Sequence, residues 1–308
     1  MSDNILIKED ILNMSEGAEV SGLVYIQSYQ KLPQKNGGSY FGGNLQAKGS
    51  IPFKAWSNSL AYSKLLNNED EYCNKVCKIE GMINKYGGVT SLILSRIEVV
   101  ESDLSTYDFM DSVYEVDQWF TALHNILKKN CSDDAVALFD EIIKPVEDSF
   151  KNEFAAVSHH DACRSGLLAH TTKVVRMASM IKQYPEILKR VSSDLLFIGC
   201  ALHDIGKVFE YNNGAISNLG KSLSHHTFGV IILLDNKELI CSSMGESFFY
   251  SLLAVVEQHH GEYAEHPRTV ASYVIYQLDN LDSRLTSLNS LLAESDGDVV
   301  QYDGYKMI

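Results

Sequence analysis

Between about Ala18 and Val100 apolar and polar side chains alternate in short runs: Val20, Val24 and Ile26; Phe41, Leu45 and Ala47; Ile51, Phe53 and Ala55; Val76 and Ile79; Leu92, Leu94, Ile97 and Val99. A period of two sends successive side chains to opposite faces, so these runs predict five half-buried strands. Gly37-Gly38, Gly42-Gly43, Gly49 and Gly87-Gly88 fall at turn positions, and Ser57 to Leu66 offers one short helix between the third and fourth strands. Five strands with a helix before the fourth is the plan of an OB-type β-barrel.

Beyond residue 114 the period becomes helical. Apolar residues at helical spacing recur in Val116 to Leu127, Ala135 to Val146, Leu167 to Ile181, Leu195 to Leu202, Phe248 to Val256 and Val270 to Leu292, interrupted by Pro145, Pro185 and Pro267. Between the two patterns, Glu101 to Asp111 is acidic and carries little periodicity. Near the end, Val299, Val300, Tyr302, Asp303-Gly304 and Tyr305 predict a small hairpin. The expected organisation is a multidomain α and β chain: an N-terminal segment 1–16, a five-stranded OB-type barrel 17–100, a linker 101–114, and an all-α bundle 115–308 with a C-terminal β-hairpin.

Composition adds limits. A length of 308 residues with 45% hydrophobic content can bury two cores. No apolar run approaches the roughly 20 residues that span a bilayer, and Met1 to Asp10 lacks the basic flank and apolar stretch of a signal peptide, so a cytoplasmic protein without membrane contact is expected. Six scattered cysteines read as thiols, and Cys73 and Cys77, with no second pair nearby, form a poor zinc motif. A net charge of −14 excludes a protein that coats nucleic acid by charge alone. Gly17 to Val100 nevertheless carries nine Lys/Arg against six Asp/Glu, a net of +3 that leaves −17 for the rest. The barrel is therefore the electrostatic landing site.

The helical half carries, in chain order, His170, His203-Asp204, His225-His226, His259-His260 and Asp279. A lone histidine on a helix is usually a satisfied core or surface residue, but imidazoles and carboxylates recurring on several apolar helices point to metal. His203 and Asp204 close the apolar helix Leu195 to Leu202, where adjacent side chains diverge by about 100° and a carboxylate can bridge two ions. Gly206 is expected to permit a sharp helix exit, and Lys207 to place a cation where a phosphate oxygen needs neutralising. His259 shares the core-facing stripe of Phe248, Leu252 and Val255. Asp279 follows the apolar Val274 to Leu278 face, where a buried carboxylate calls for a cation; Asp282, one turn on, reads as a solvated or supporting residue.

The succession His170, His203-Asp204-Ile205-Gly206-Lys207, His225, His259-His260-Gly261 and Leu278-Asp279-Asn280-Leu281-Asp282 resembles the HD-domain phosphohydrolases. More narrowly, the chain is similar to the YhaM family of 3′-5′ exoribonucleases, which join an OB domain to an HD domain in this order. His159-His160-Asp161 through Ser165-Gly166-Leu167-Leu168-Ala169-His170 matches the family's entry into its first metal helix. The resemblance implies two divalent ions, usually Mn, with Fe, Co, Zn or Mg as alternatives. His170, His203, Asp204 and Asp279 would surround one ion, and Asp204, His225 and His259 the other. A water acidified between them would attack phosphorus, with Asp204 and Lys207 as the catalytic residues. His226, His260, Asp282 and His160 are further candidates for ligation or support. This chain departs from the pattern where Ser224 precedes two histidines, and the four-residue step to Gly229 favours His225. Ala271 and Tyr276 stand where the family would carry a glutamate and a histidine, which bears on the substrate pocket.

OB folds that capture single strands stack bases on aromatic platforms in a basic groove. Alternation makes Phe53 a core residue, and Tyr29, Tyr40, Lys54, Trp56 and Tyr86 the candidate contacts. The expected function is a metal-dependent 3′-5′ exonuclease of single-stranded RNA, also acting on single-stranded DNA. Two alternatives remain at this stage: an HD-type hydrolase of nucleotides or cyclic nucleotides whose barrel serves assembly, and a catalytically weakened single-strand-binding protein. The family also implies a homo-oligomer, which no residue pattern here demonstrates.

Overall fold

Alternation in the first third of the chain is realised as a closed barrel in the order β1-β2-β3-β5-β4, formed by β1 (Glu19–Pro33), β2 (Ser39–Gln46), β3 (Ser50–Trp56), β4 (Lys75–Tyr86) and β5 (Val89–Val99). In this computed structural model the described residues are all except 1–3, 35–36, 68–70, 105, 111–113, 157–162, 262–264, 295–299 and 308. The neighbouring pairs are antiparallel except β3 with β5, which meet in parallel through Phe53 opposite Leu92 and Lys54 opposite Ile93. Inward positions fill the barrel with Val24, Ile26, Phe41, Phe53, Ile79 and Leu94, all essentially inaccessible. The expected helix before the fourth strand is present as α2 (Leu60–Asn67), and it buries Ala61 and Leu65 in that core.

Two flanking segments belong more closely to the barrel unit than their weak patterns suggest. The first is α1 (Lys8–Asn13), which sends Ile11 into the barrel core, while the Leu6 N–H donates to the Leu23 carbonyl at 2.9 Å. In the expected linker, a 3-10 turn at Thr106–Phe109 accepts the Lys48 N–H on the Phe109 carbonyl at 2.7 Å. Contacts divide the chain into Met1–Ser112 and Val113–Ile308.

The second unit is a helical bundle built around α8 (Ser193–Leu202). Every residue from Leu195 to Leu202 is buried, so this helix is covered on all sides. The Ser192 hydroxyl caps it by accepting from the Leu195 N–H at 3.1 Å. Around it pack α3 (Val116–Asn130), α4 (Asp133–Ile143), α6 (Gly166–Ala178), α12 (Glu246–Gln258) and α13 (Val270–Glu294). Pro145 ends the second expected helix early. A 3-10 turn at Lys144–Val146 leads into α5 (Glu147–Asn152), and α7 (Pro185–Leu188) is a single turn. After α8 come α9 (Lys207–Glu210), a two-residue hairpin of β6 (Tyr211–Asn212) and β7 (Ala215–Ile216), then α10 (His225–Asp235) and α11 (Lys237–Met244). The expected terminal hairpin is β8 (Val300–Tyr302) with β9 (Tyr305–Met307), tied to α13 by Arg284 to Asp303 at 2.9 Å.

The residue before α6 is strained. Ser165 has φ 64°, in the left-handed region, and its buried hydroxyl has no hydrogen-bond partner among the described residues. Glycine adopts this conformation without a Cβ clash and carries no hydroxyl to satisfy. Against the added freedom of glycine in the unfolded chain, Ser165→Gly is expected to stabilise the protein by about 1 kcal/mol. A urea midpoint at or below that of the wild type would contradict this reading.

Candidate metal centre

Asp204 lies where the central helix gives way to a turn, almost fully buried, and its two oxygens face two different sets of groups. Oδ2 accepts from Lys207 Nζ at 2.7 Å and lies 3.4 Å from both His170 Nε2 and His203 Nε2. Asp279 Oδ1 completes that side, 3.1 Å from His170 Nε2 and 3.9 Å from His203 Nε2. Oδ1 of Asp204 points the other way, 3.3 Å from His259 Nε2 and 3.6 Å from His225 Nε2.

Each histidine is oriented from behind. His203 Nδ1 bonds the Cys200 carbonyl at 2.7 Å, His259 Nδ1 the Val256 carbonyl at 2.9 Å, and His226 Nδ1 the Glu257 carbonyl at 3.2 Å. His170 Nδ1 bonds Asp282 at 2.8 Å, and His225 Nδ1 bonds Glu210 at 2.7 Å. Carbonyls and carboxylates only accept, so the network assigns a proton to each Nδ1 and leaves Nε2 of His203, His225, His226 and His259 with a lone pair, while His170 Nε2 faces that of His203 at 3.2 Å as the donor.

That assignment decides what the centre can hold. Asp204 Oδ1, His225 Nε2 and His259 Nε2 are buried, have no hydrogen-bond partner among the described residues, and are all acceptors facing one another. A buried acceptor left unsatisfied costs about 1–3 kcal/mol, and a cation between these three removes the cost. His170, His203 and Asp279 form a second group that could hold a metal ion, as do His203, Asp204 and His259. The mixture of imidazole and carboxylate suits a divalent first-row ion.

Protonation follows from the same packing. Burial opposes charge on His170, but hydrogen bonds to Asp279 and Asp282 outweigh it and raise its pKa to about 10. Burial dominates at His203 and His226, lowering each to about 4, and at His260, lowering it to about 2. Burial works against the Asp204 carboxylate, yet Lys207 and the surrounding imidazoles hold its pKa well below the usual range. The basic residue is thereby matched to the acidic side of the centre, where it would give up its Nε2 proton to a metal, while His203, His226 and His260 stay neutral.

Local sequence explains the placement. In α6, His170 stands one turn inside the helix start, and in α13 Asp279 and Asp282, three apart, share a face. Gly206 acts differently from the expected helix exit. Its φ of −65° is ordinary, and what matters is space: a Cβ there would lie 1.9 Å from the His225 carbonyl oxygen and 2.6 Å from the Gly229 nitrogen. Lys207 is buried and ion-paired with Asp204, which sets its positive charge at the centre itself. Asp282 is buried behind His170 rather than solvated. His260 is partly exposed, with Nε2 4.0 Å from Asp279 Oδ2. Tyr276 lies over Gly261 and Ala271 is buried, while His160 falls outside the described residues.

Glu210 was missed by sequence reading. Its carboxylate takes both the backbone N–H of His225 at 3.2 Å and its Nδ1–H at 2.7 Å. The following hairpin is fixed by the buried Glu153 carboxylate, which accepts from the N–H groups of Asn213 and Gly214 at 2.9 and 2.7 Å. Its one sequence signal is position, three residues past Lys207 on α9. Glu210→Ala is expected to weaken divalent-ion affinity about 10–100-fold, and Glu210→Gln by less, because its amide oxygen can still accept from Nδ1. Calorimetric titration of the stripped protein would test this, and wild-type affinity in both variants would contradict it.

On the barrel, Tyr40 and Trp56 are cross-strand partners on the outer face, with ring centroids 5.0 Å apart. Lys54 Nζ stands 6.0 and 5.8 Å from their rings. Tyr29, Tyr40 and Lys54 line one groove of about 540 Å³, and Tyr29 also packs edge-on against the core residue Phe41. Tyr86 stands apart, 83% exposed at the tip of the β4–β5 hairpin.

Comparison with known proteins accords with this arrangement. Residues 167–284, which carry every candidate ligand but His160, match the HD domain. Over 304 residues the chain is 23% identical to the 3′-5′ exoribonuclease YhaM of Listeria innocua, covering 93% of this chain and 92% of that one. The chain is thus similar to the YhaM exoribonucleases along nearly its whole length. Its similarity to the Bacillus subtilis YhaM is 25% over 293 residues, covering 90% and 88% of the two chains. The HD domain and the exoribonuclease relatives mark this protein as a hydrolase of the HD superfamily. Among solved structures, a replication protein A heterotrimer bound to single-stranded DNA matches 32% of this chain and 80% of its own at 10% identity, with a TM-score of 0.25. No helix among the described residues is long and apolar enough to cross a membrane.

Proposed function

We propose that the protein is a metal-dependent 3′-5′ exoribonuclease whose barrel takes hold of single-stranded RNA, and single-stranded DNA as a weaker substrate, while the HD unit hydrolyses the terminal phosphodiester. The observation that carries this reading is Asp204, a single buried carboxylate presenting one oxygen to each of two acceptor groups. Two divalent ions, Mn in this reading, would be held by His170, His203, Asp204 and Asp279 on one side and by Asp204, His225 and His259 on the other. When bound, they would supply acidification of a water and neutralisation of phosphate charge.

The chain's own residues supply the rest. Glu210, Asp282 and the carbonyls behind the rings fix which nitrogen faces inward. Lys207 brings a positive charge within 2.7 Å of Asp204, so that when the carboxylate is engaged elsewhere the ammonium can turn to a phosphate oxygen. Burial of the whole cluster keeps these charges in a medium where they act strongly. The names of the relatives support the polymer class, and the Tyr40, Trp56 and Lys54 cluster supplies the aromatic and basic surface that a single strand needs.

Incubation of a 5′-labelled single-stranded RNA with the protein and Mn²⁺ should give a ladder shortening from the 3′ end, abolished by chelator. An oligomer left intact alongside rapid hydrolysis of mononucleotides would overturn the reading in favour of a nucleotide hydrolase. For the barrel's part, Trp56→Ala is expected to weaken RNA binding by about 1–3 kcal/mol, the range for one stacked base, and to raise KM rather than lower kcat. Unchanged KM would remove Trp56 from the substrate path.

A further inference from the structure

Neither acceptor group around Asp204 needs His226, yet the residue is built like those that do. It is buried at the first turn of α10, and its Nδ1 is occupied by the Glu257 carbonyl at 3.2 Å, which leaves Nε2 with the lone pair. One ring nitrogen from each of His225, His226, His259 and His260 lies within 4.8 Å of the corresponding atom of the other three. The His226 ring is stacked on His259 with centroids 4.7 Å apart and planes within 16°, and its centroid is 4.4 Å from that of His225 and 4.6 Å from that of His260. Four imidazoles so close together bring several lone pairs into one small volume. Nothing in ordinary core packing favours this, and a shared electrophile does.

We propose that His226 is a metal ligand in this chain, making the position beside Asp204 Oδ1 rich in imidazole and selective for nitrogen-preferring divalent ions such as Co²⁺ or Zn²⁺. The opposite position, with Asp279 and the other oxygen of Asp204, has more carboxylate and remains suited to a harder ion such as Mn²⁺. The two positions would then differ in preference, and a mixed pair of metals would fill the centre better than two of one kind. This rests on the metal-dependent reading above and adds to it a ligand and a selectivity.

The test is a titration of the chelator-stripped full chain with Co²⁺, followed by calorimetry and by visible absorption, whose bands report the number and type of ligands. Wild type should take up two ions. His226→Ala should keep one at wild-type affinity, bind the other at least about tenfold more weakly, and alter the visible spectrum. His226→Gln, closer in size and uncharged, carries the same test if the alanine variant does not fold by circular dichroism, and its spectrum should shift as an imidazole nitrogen is lost. Two ions bound with wild-type affinity and spectrum in a folded variant would overturn the role of His226 and leave the metal-dependent reading standing. No Co²⁺ uptake by the wild type would overturn both.

Discussion

Asp204→Asn should slow RNA cleavage by about 10³-fold or more, roughly 4 kcal/mol in the barrier, while leaving the fold close to wild-type stability. The separation follows from the two faces of this side chain. An amide oxygen can still accept from Lys207 Nζ, now 2.7 Å from Oδ2, so the buried ammonium keeps a partner. The amide NH₂ must then take the place of Oδ1, which faces His225 and His259, and it puts a donor where a cation would sit. Those two lone pairs would be satisfied by the amide, the bridging carboxylate would be gone, and the variant would be folded but unable to hold both ions. Single-turnover decay of labelled RNA, paired with a urea titration, checks both halves. Wild-type turnover would remove Asp204 from the centre, and collapse of the fold would show that its main role is to neutralise Lys207.

Gly206→Ala should cost about 3 kcal/mol in stability and remove most activity, although it adds a single methyl group. Overpacking is expensive when the atoms in the way are backbone, because no rotamer change relieves it. Here the new Cβ would meet the His225 carbonyl oxygen and the Gly229 nitrogen, so α10 must move away from the turn that carries Asp204. His225 moves with it. The variant should therefore lose divalent-ion affinity as well as stability, measured by calorimetry and by denaturant midpoint. Normal stability would show that the two segments can separate at little cost.

Much of this was legible in the sequence, for definable reasons. The barrel announced itself because one face of each strand is wet, which forces alternation, and the ligands did because imidazoles and carboxylates have no business on apolar helices without a purpose. Where the exposed face is itself apolar, as at Ile231 and Leu234, the signal fades. The apolar run of α10, including Val230, Ile231, Ile232 and Leu233, has no polar face to mark its period, and it went unassigned together with α11. The reason for Gly206 is a contact with a segment some twenty residues on, which local conformation does not encode. Glu210 carries no sign of its role until the fold brings His225 to it, and the ion pair of Lys207 with Asp204 depends on the turn that follows α8. Pairing across the fold, rather than residue type, is what a single sequence withholds.

The bond between His170 and Asp282 joins positions 112 residues apart, and the centre draws its groups from five separate stretches of chain. Domains tend to form as units during synthesis, the N-terminal one first. The barrel can thus be complete long before α13 has left the ribosome. Until then Asp279 and Asp282 do not exist beside the histidines, so a half-made chain would carry four of the five stretches and His170 would lack the two carboxylates that α13 brings to it.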